Sequence, residues 1–245
     1  MKKKWPRELL EVRYAHRGLH SLPERPENSL AAFRAAAEAG FGAELDVHLM
    51  KDGNLAVIHD SSLLRTAGTD VAIEDLTRED LPNYHLENTK ERIPLLEEVL
   101  PIFEGKTPLI VELKPVRGNH RELAKAAVTL LDRYQVIYCM ESFDPRALEW
   151  LKKNRPEIIR GQLSGNLIEE GGHSKILLWA MSKLLLNFLS RPDFIAYDYR
   201  YRDNCLPLKL YRRFTKIKEF SWTVRDNKTA LLLEKKGNQI IFEGF

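Results

Sequence analysis

Short apolar runs alternate with helix-patterned stretches along the whole chain, and this alternation constrains the fold more than any other feature. Strands are expected at Val12–Ala15, Ala43–Leu49, Leu109–Leu113, Val136–Met140, Ile158–Leu163, Phe194–Tyr197, Glu219–Val224 and Gln239–Phe242. Helical patterns fall between them at Asn28–Ala39, Leu95–Phe103, His120–Tyr134, Pro145–Lys153, Ile176–Leu189, Pro207–Arg213 and Asn227–Lys236. Repeated strand–helix units imply a parallel sheet covered by helices. With so many strands in 245 residues, a closed α/β barrel of the TIM type, (β/α)8, is the economical solution, since such barrels take roughly 250 residues. A further run, Leu55–His59, is joined to Ala43–Leu49 by a turn containing Asp52-Gly53, which signals a hairpin. Residues 60–93 are polar and irregular and read as a small insertion after the second strand, within one domain spanning residues 1–245.

Charge and cysteine usage narrow the function classes. A net charge of +3 gives no basis for nucleic-acid binding without a clustered patch. Lys2-Lys3-Lys4 reads as a solubilising tail, with weak contact to an anionic membrane as the alternative. Cys139 and Cys205 lack metal-type spacing, so reduced thiols in a cytoplasmic protein are expected. The most hydrophobic stretch, Ile176–Leu189, carries Ser182, Lys183 and Asn187 and is too short to span a bilayer, which takes about 20 residues. It reads as an outer barrel helix. Its wide apolar arc and Trp179 also fit a helix lying at a bilayer surface, where Lys2 to Trp5 would assist.

The chemistry sits at strand ends. His16 follows the first strand. Glu44 and Asp46, two apart on the second, project to one face, while Ala43, Leu45 and Val47 face the helices. His59 closes the Leu55–His59 run, and Glu112 and Lys114 repeat the two-residue spacing. In a β/α barrel the C-terminal strand ends form the active-site face. Carboxylates facing such an interior are costly without partners, so Glu44, Asp46 and Glu112 point to a bound cation. Oxygen-only ligation suits one hard divalent ion, Mg²⁺ or Ca²⁺. His16 and His59 supply an acid/base pair near neutral pH, and Arg17 and Lys114 offer donors to a phosphate-like anion. Taken singly, each has a bland reading: a hydrogen-bonded histidine, a solvated Glu-x-Asp strand face, a surface lysine before Pro115.

The ordered set is more specific than its members. His16-Arg17-Gly18, Pro26-Glu27-Asn28-Ser29, Glu44-x-Asp46, Lys51-Asp52-Gly53, His59-Asp60, Arg65-Thr66, Ile93-Pro94, Glu112-x-Lys114 and Trp222-Thr223-Val224 together resemble the signature of glycerophosphodiester phosphodiesterases. The resemblance runs over essentially the whole chain. It implies a β/α barrel with the insertion after His59 capping its mouth. It implies Glu44, Asp46 and Glu112 as metal ligands and His16 and His59 as the general acid/base pair. Arg17 and Lys114 would hold the phosphate, Glu27 would partner Arg17 or the metal, and Trp222 would line the substrate pocket. Three positions depart from the pattern: Ser61, Arg225, and the end at Glu243-Gly244-Phe245, where the helix after the eighth strand is absent and barrel closure is in question.

The activity these features imply is metal-dependent hydrolysis of a small glycerophosphodiester to glycerol phosphate and an alcohol. A lysophospholipase D acting on lysophospholipids and a catalytically silent barrel serving as a membrane or protein adaptor are the alternatives. The residues do not assign acid and base separately between His16 and His59.

Overall fold

The computed structural model describes residues 3–167, 174–215 and 217–245. Its strands are β1 (Tyr14–Ala15), β2 (Gly42–Leu49), β3 (Leu55–Val57), β4 (Leu109–Leu113), β5 (Tyr138–Ser142), β6 (Arg160–Ser164), β7 (Phe194–Asp198), β8 (Lys218–Val224) and β9 (Gln239–Phe242). The helices are α1 (Glu8–Glu11), α2 (Leu30–Glu38), α3 (Leu64–Ala67), α4 (Leu96–Phe103), α5 (His120–Leu131), α6 (Pro145–Asn154), α7 (Lys175–Ser182), α8 (Asn187–Ser190), α9 (Leu206–Thr215) and α10 (Asn227–Lys235).

Eight strands close into a parallel barrel in the order β1-β2-β4-β5-β6-β7-β8-β9. β3 stands outside it, antiparallel to β2 with Val47 opposite Val57, because the short Asp52-Gly53 turn reverses the chain at once. The closure left in question by the sequence is made by hydrogen bonding. β9 pairs with β8 on one side and with β1 on the other, Tyr14 opposite Ile241 and Ala15 opposite Phe242. Outside this seam Phe242 packs against Phe41 (4.9 Å between ring centroids) and Phe245 (5.1 Å), with Arg13 over the Phe245 ring.

Alternation sorts the side chains. Ala43, Leu45, Val47, Leu109, Val111 and Leu113 face the helices in the main core. Inside the barrel, Tyr14, Ile110, Cys139, Phe194, Phe220 and Ile241 form a buried apolar floor, closed by Leu9 and Trp5. Two glycines make room for its rings. A Cβ on Gly161 would meet the Phe194 ring at 2.1 Å, and one on Gly42 the Tyr14 ring at 2.7 Å. Above this floor the inward positions become polar, so the barrel opens only at its C-terminal face.

Some expectations shift. β5 and β6 begin two residues later than the apolar runs, because Val136 and Ile158 pack into the outer core before ladder pairing starts. The expected helix Ile176–Leu189 is broken into α7 and α8. Leu184 takes a left-handed conformation (φ 58°) that turns its side chain into a cluster with Ile195, Tyr197, Cys205 and Leu208. The N-terminal tail is anchored: Lys3 Nζ pairs with Asp193 at 2.5 Å, and Trp5 packs on Phe194 and Phe220. Lys2 lies outside the described residues. In the 60–93 segment, Leu63, Ile73, Leu76, Leu81, Leu86 and Ile93 pack on Met50, Ala56 and Ile58 of the hairpin. Cys139 and Cys205 are buried and unbonded to each other.

Candidate active site

Parallel strands with one common register bring distant positions to one level. Asp46 lies opposite Glu112 and Glu112 opposite Glu141 across β2, β4 and β5. Among the described residues, Glu44, Asp46 and Glu112 form a buried cluster whose carboxylate oxygens lie within 4.8 Å of one another. Lys114 Nζ bridges two of them, 3.0 Å from Glu112 and 3.3 Å from Asp46. Arg17 enters from the β1 end. Its backbone N–H donates to Glu44 at 3.1 Å, its Nη1 to Glu27 at 2.9 Å, and its Nε lies 3.5 Å from Asp46. Asn28 Nδ2 donates to Asp46 at 2.9 Å. Both Arg17 (φ 56°) and Asn28 (φ 55°) hold left-handed backbone, a strained state that clusters at functional sites.

The electrostatics follow from this crowding. Burial pushes the Glu44 carboxyl well up, reinforced by Asp46 and Glu112. Burial also raises Glu112, to about 7, against the pull of Lys114. It would raise Asp46 too, but Lys114, His59 and Arg17 outweigh it and hold Asp46 well below the carboxylate range. Burial works against the Lys114 ammonium, yet Glu112 and Asp46 leave it raised. Like charges held close in low dielectric repel strongly, and a divalent cation would relieve that repulsion. Asp46 Oδ1 is buried and makes no hydrogen bond, the Lys114 ammonium standing 3.3 Å away, so its lone pairs can also serve an ion. An oxygen-only donor set fits a hard divalent cation.

The two histidines flank the cluster, each with Nδ1 on a carboxylate. His16 Nδ1 contacts Glu243 Oε2 at 2.9 Å, and His59 Nδ1 contacts Asp60 Oδ1 at 2.6 Å. This leaves Nε2 of each ring for a substrate. Burial lowers the pKa of both imidazoles, that of His59 to about 4. The hydrogen bond from His16 draws Glu243 down to about 2. His59 reaches the barrel mouth from the hairpin return, fixed by an Ile58 N–H donated to the Asp46 carbonyl at 3.1 Å. Beyond it Arg65 joins Asp60 to Glu27, with Nη2 to Glu27 Oε1 at 2.6 Å. A continuous ionic path therefore runs His59–Asp60–Arg65–Glu27–Arg17–Asp46.

The structure thus brings His16, Arg17, Glu44, Asp46, His59, Glu112 and Lys114 into one constellation. Trp222, expected in the pocket, packs edge-on against Phe143 with centroids 5.8 Å apart and is not among the residues that line the cavity beside His59, Glu112 and Lys114. Sequence reasoning missed Glu141, Glu243 and His48. Glu141 is buried with Oε2 unpartnered and is pushed well up by burial. Glu243 follows β9 as His16 follows β1. His48 continues the two-residue spacing of Glu44 and Asp46, a signal that was available, and it lies between Glu74 (2.6 Å) and the His59 carbonyl (3.1 Å). Ser61, one of the departures, donates to the same Glu74 at 2.6 Å.

His59, Glu112 and Lys114 line a cavity of about 920 Å³. Phe143, Leu178, Met181, Leu186 and Leu189 belong to the same wall.

A parallel barrel with acids, imidazoles and cations gathered at its C-terminal mouth defines a hydrolase of phosphate esters, anion-holding groups beside proton-transfer groups. More particularly, the chain belongs to the glycerophosphoryl diester phosphodiesterase family, whose model matches residues 16–243, and its enzyme class is that of phosphoric diester hydrolases. A glycerophosphodiester phosphodiesterase of Caldanaerobacter subterraneus is 34% identical over 180 residues, 69% of this chain and 72% of that protein. A human lysophospholipase D is 35% identical over 139 residues, 51% of this chain and 42% of its own. Among solved structures, an Oleispira antarctica phosphodiesterase in complex with its product sn-glycerol-3-phosphate superposes with a TM-score of 0.76 at 24% identity. That match covers 97% of this chain and 94% of the other, and it shows the fold.

Proposed function

We propose that the enzyme hydrolyses small glycerophosphodiesters to glycerol phosphate and an alcohol, with one Mg²⁺ or Ca²⁺ held by Glu44, Asp46 and Glu112. The observation that carries this reading is the buried carboxylate cluster with a histidine–carboxylate pair on either flank. When bound, the cation would neutralise charge developing on the phosphate. Lys114 and Arg17 hold the phosphate oxygens as fixed donors. One imidazole takes the proton of the attacking oxygen, first the substrate's own glycerol hydroxyl to give a cyclic phosphate and then water to open it, as that oxygen forms the new P–O bond. The other gives a proton to the alcohol oxygen as the old P–O bond breaks. Glu243 and Asp60 fix the tautomer and aim of the two rings, and the 60–93 segment acts as a cap within one domain.

A second reading, cleavage of lysophospholipids, is favoured by the apolar side chains in the cavity wall, Phe143, Leu178, Met181, Leu186 and Leu189, against which an alkyl chain that glycerophosphocholine lacks would pack.

The test is product release from glycerophosphocholine, glycerophosphoethanolamine and lysophosphatidylcholine, with chelator and with added Mg²⁺ or Ca²⁺. Chelation should abolish turnover, and His16→Ala and His59→Ala should each lower kcat by about 10² or more. Full turnover in chelator, or a near-normal kcat in either variant, rejects the proposed site. Faster cleavage of lysophosphatidylcholine selects the second reading.

A further inference from the structure

We propose that α7, α8 and α9 form a docking face for an anionic phospholipid bilayer, on the barrel sector where α7 and α8 also contribute to the cavity wall. An outer helix of a β/α barrel ordinarily turns its apolar stripe to the sheet. On α9 the arrangement is reversed. Leu206, Leu210 and Phe214, spaced four apart, are exposed, Phe214 at 72%, and Leu208 is the residue buried against the barrel. The neighbouring α7–α8 segment does the same. Leu178 and Met181 turn to the cavity, while Ile176 (81% exposed), Trp179, Leu185 and Phe188 face outward. The two segments meet where Leu184 packs on Cys205 and Leu208.

The charge pattern selects the occupant. No acidic residue occurs in 174–190 or 206–218. Lys175, Lys183, Lys209 and Arg213 lie on these segments without an acidic partner among the described residues, whereas Arg212 is paired with Glu219 at 3.2 Å. Exposed apolar side chains rimmed by cations that have no acidic partner among the described residues match the boundary of an anionic bilayer, where rings and aliphatic chains enter and cations meet headgroups. A second copy on a two-fold axis would set the same cations against themselves. Docked this way, the enzyme would hold the segment that supplies Leu178, Met181 and Leu189 to the cavity wall next to the lipid layer. The assignment does not depend on the catalytic reading, because partitioning is measured without turnover.

Co-sedimentation of the full chain with vesicles of phosphatidylglycerol plus phosphatidylcholine, and of phosphatidylcholine alone, tests it. Wild type should bind the anionic vesicles, release in high salt, and ignore the neutral ones. Lys209→Gln with Arg213→Gln should weaken partitioning by about 25-fold, roughly fivefold per cation. Leu210→Glu with Phe214→Glu should abolish it, as should Trp179→Glu with Phe188→Glu. Circular dichroism and turnover of glycerophosphocholine should stay at wild-type values in all three. Failure of wild type to bind anionic vesicles overturns the proposal, and so does undiminished binding by the folded variants. A dimer that Leu210→Glu with Phe214→Glu dissolves, in protein that ignores vesicles, overturns it in favour of self-association.

Discussion

Replacing Asp60 by Asn tests whether a carboxylate aims and charges His59. Asp60 Oδ1 lies 2.6 Å from His59 Nδ1, a distance typical of a charge-assisted hydrogen bond. Such bonds contribute about 1.5–3 kcal/mol. If the whole of that is expressed when the imidazole gains charge in the transition state, kcat falls about 10- to 150-fold, since each 1.4 kcal/mol is tenfold. KM should change little, because Asp60 touches the ring and not the phosphate. The pH profile gives a second, signed readout. Burial first, then the charges of Lys114 and Arg17, lowers the His59 pKa to about 4, while Asp46 and the Asp60 hydrogen bond oppose the fall. Removing the Asp60 charge weakens support for the protonated ring, so the limb of the kcat profile that His59 governs, acidic for a base and basic for an acid, should move to lower pH. A bound cation acts in the same direction and does not reverse the sign. Choline release from glycerophosphocholine across pH measures both effects. Asp60 is part-exposed and Arg65 retains Glu27, so the stability cost should stay near 1 kcal/mol or less. A kcat within twofold of wild type, or a His59 limb that moves to higher pH, would refute this account of His59.

Cation binding should also depend on pH. The Glu112 carboxyl is raised to about 7, so the cation-free fold binds an extra proton between its ordinary value and pH 7. That contribution to stability is complete below the ordinary value and is lost as pH rises through 7. A cation must displace the protons that Glu112 and Glu44 hold, so affinity for Mg²⁺ or Ca²⁺ should rise with pH through 7. Titration calorimetry in buffers of different ionisation enthalpy would detect the released protons, and a flat profile would remove both Glu44 and Glu112 from the ligand set. Saturating cation at about 100 times Kd should add about 2.7 kcal/mol, roughly 5–10 °C in Tm for a chain this size. In the barrel floor, Gly161→Ala puts a Cβ 2.1 Å from the Phe194 ring. Overpacking of this kind costs about 1–3 kcal/mol, and Phe194→Leu in the same chain should recover part of the lost Tm; no recovery would place the strain elsewhere.

The parallel barrel, the hairpin at Asp52-Gly53 and the grouping of His16, Glu44, Asp46, His59 and Glu112 were legible from sequence. Period-two alternation and strand ends depend on local order along the chain, and those determine which side chains face the barrel mouth. What local order cannot carry is partnership across the fold. Glu243 meets His16 across 227 positions only because β9 pairs with β1. Glu141 joins the acid cluster only through the β4–β5 register, and the helix expected at Ile176–Leu189 breaks because Leu184 finds a buried cluster between β7 and α9. The same limit applies to α9: its apolar spacing is helical wherever the stripe points, and only packing on the barrel decides that it points outward. Each of these outcomes rests on contacts between segments far apart in sequence, which exist only once the sheet has closed.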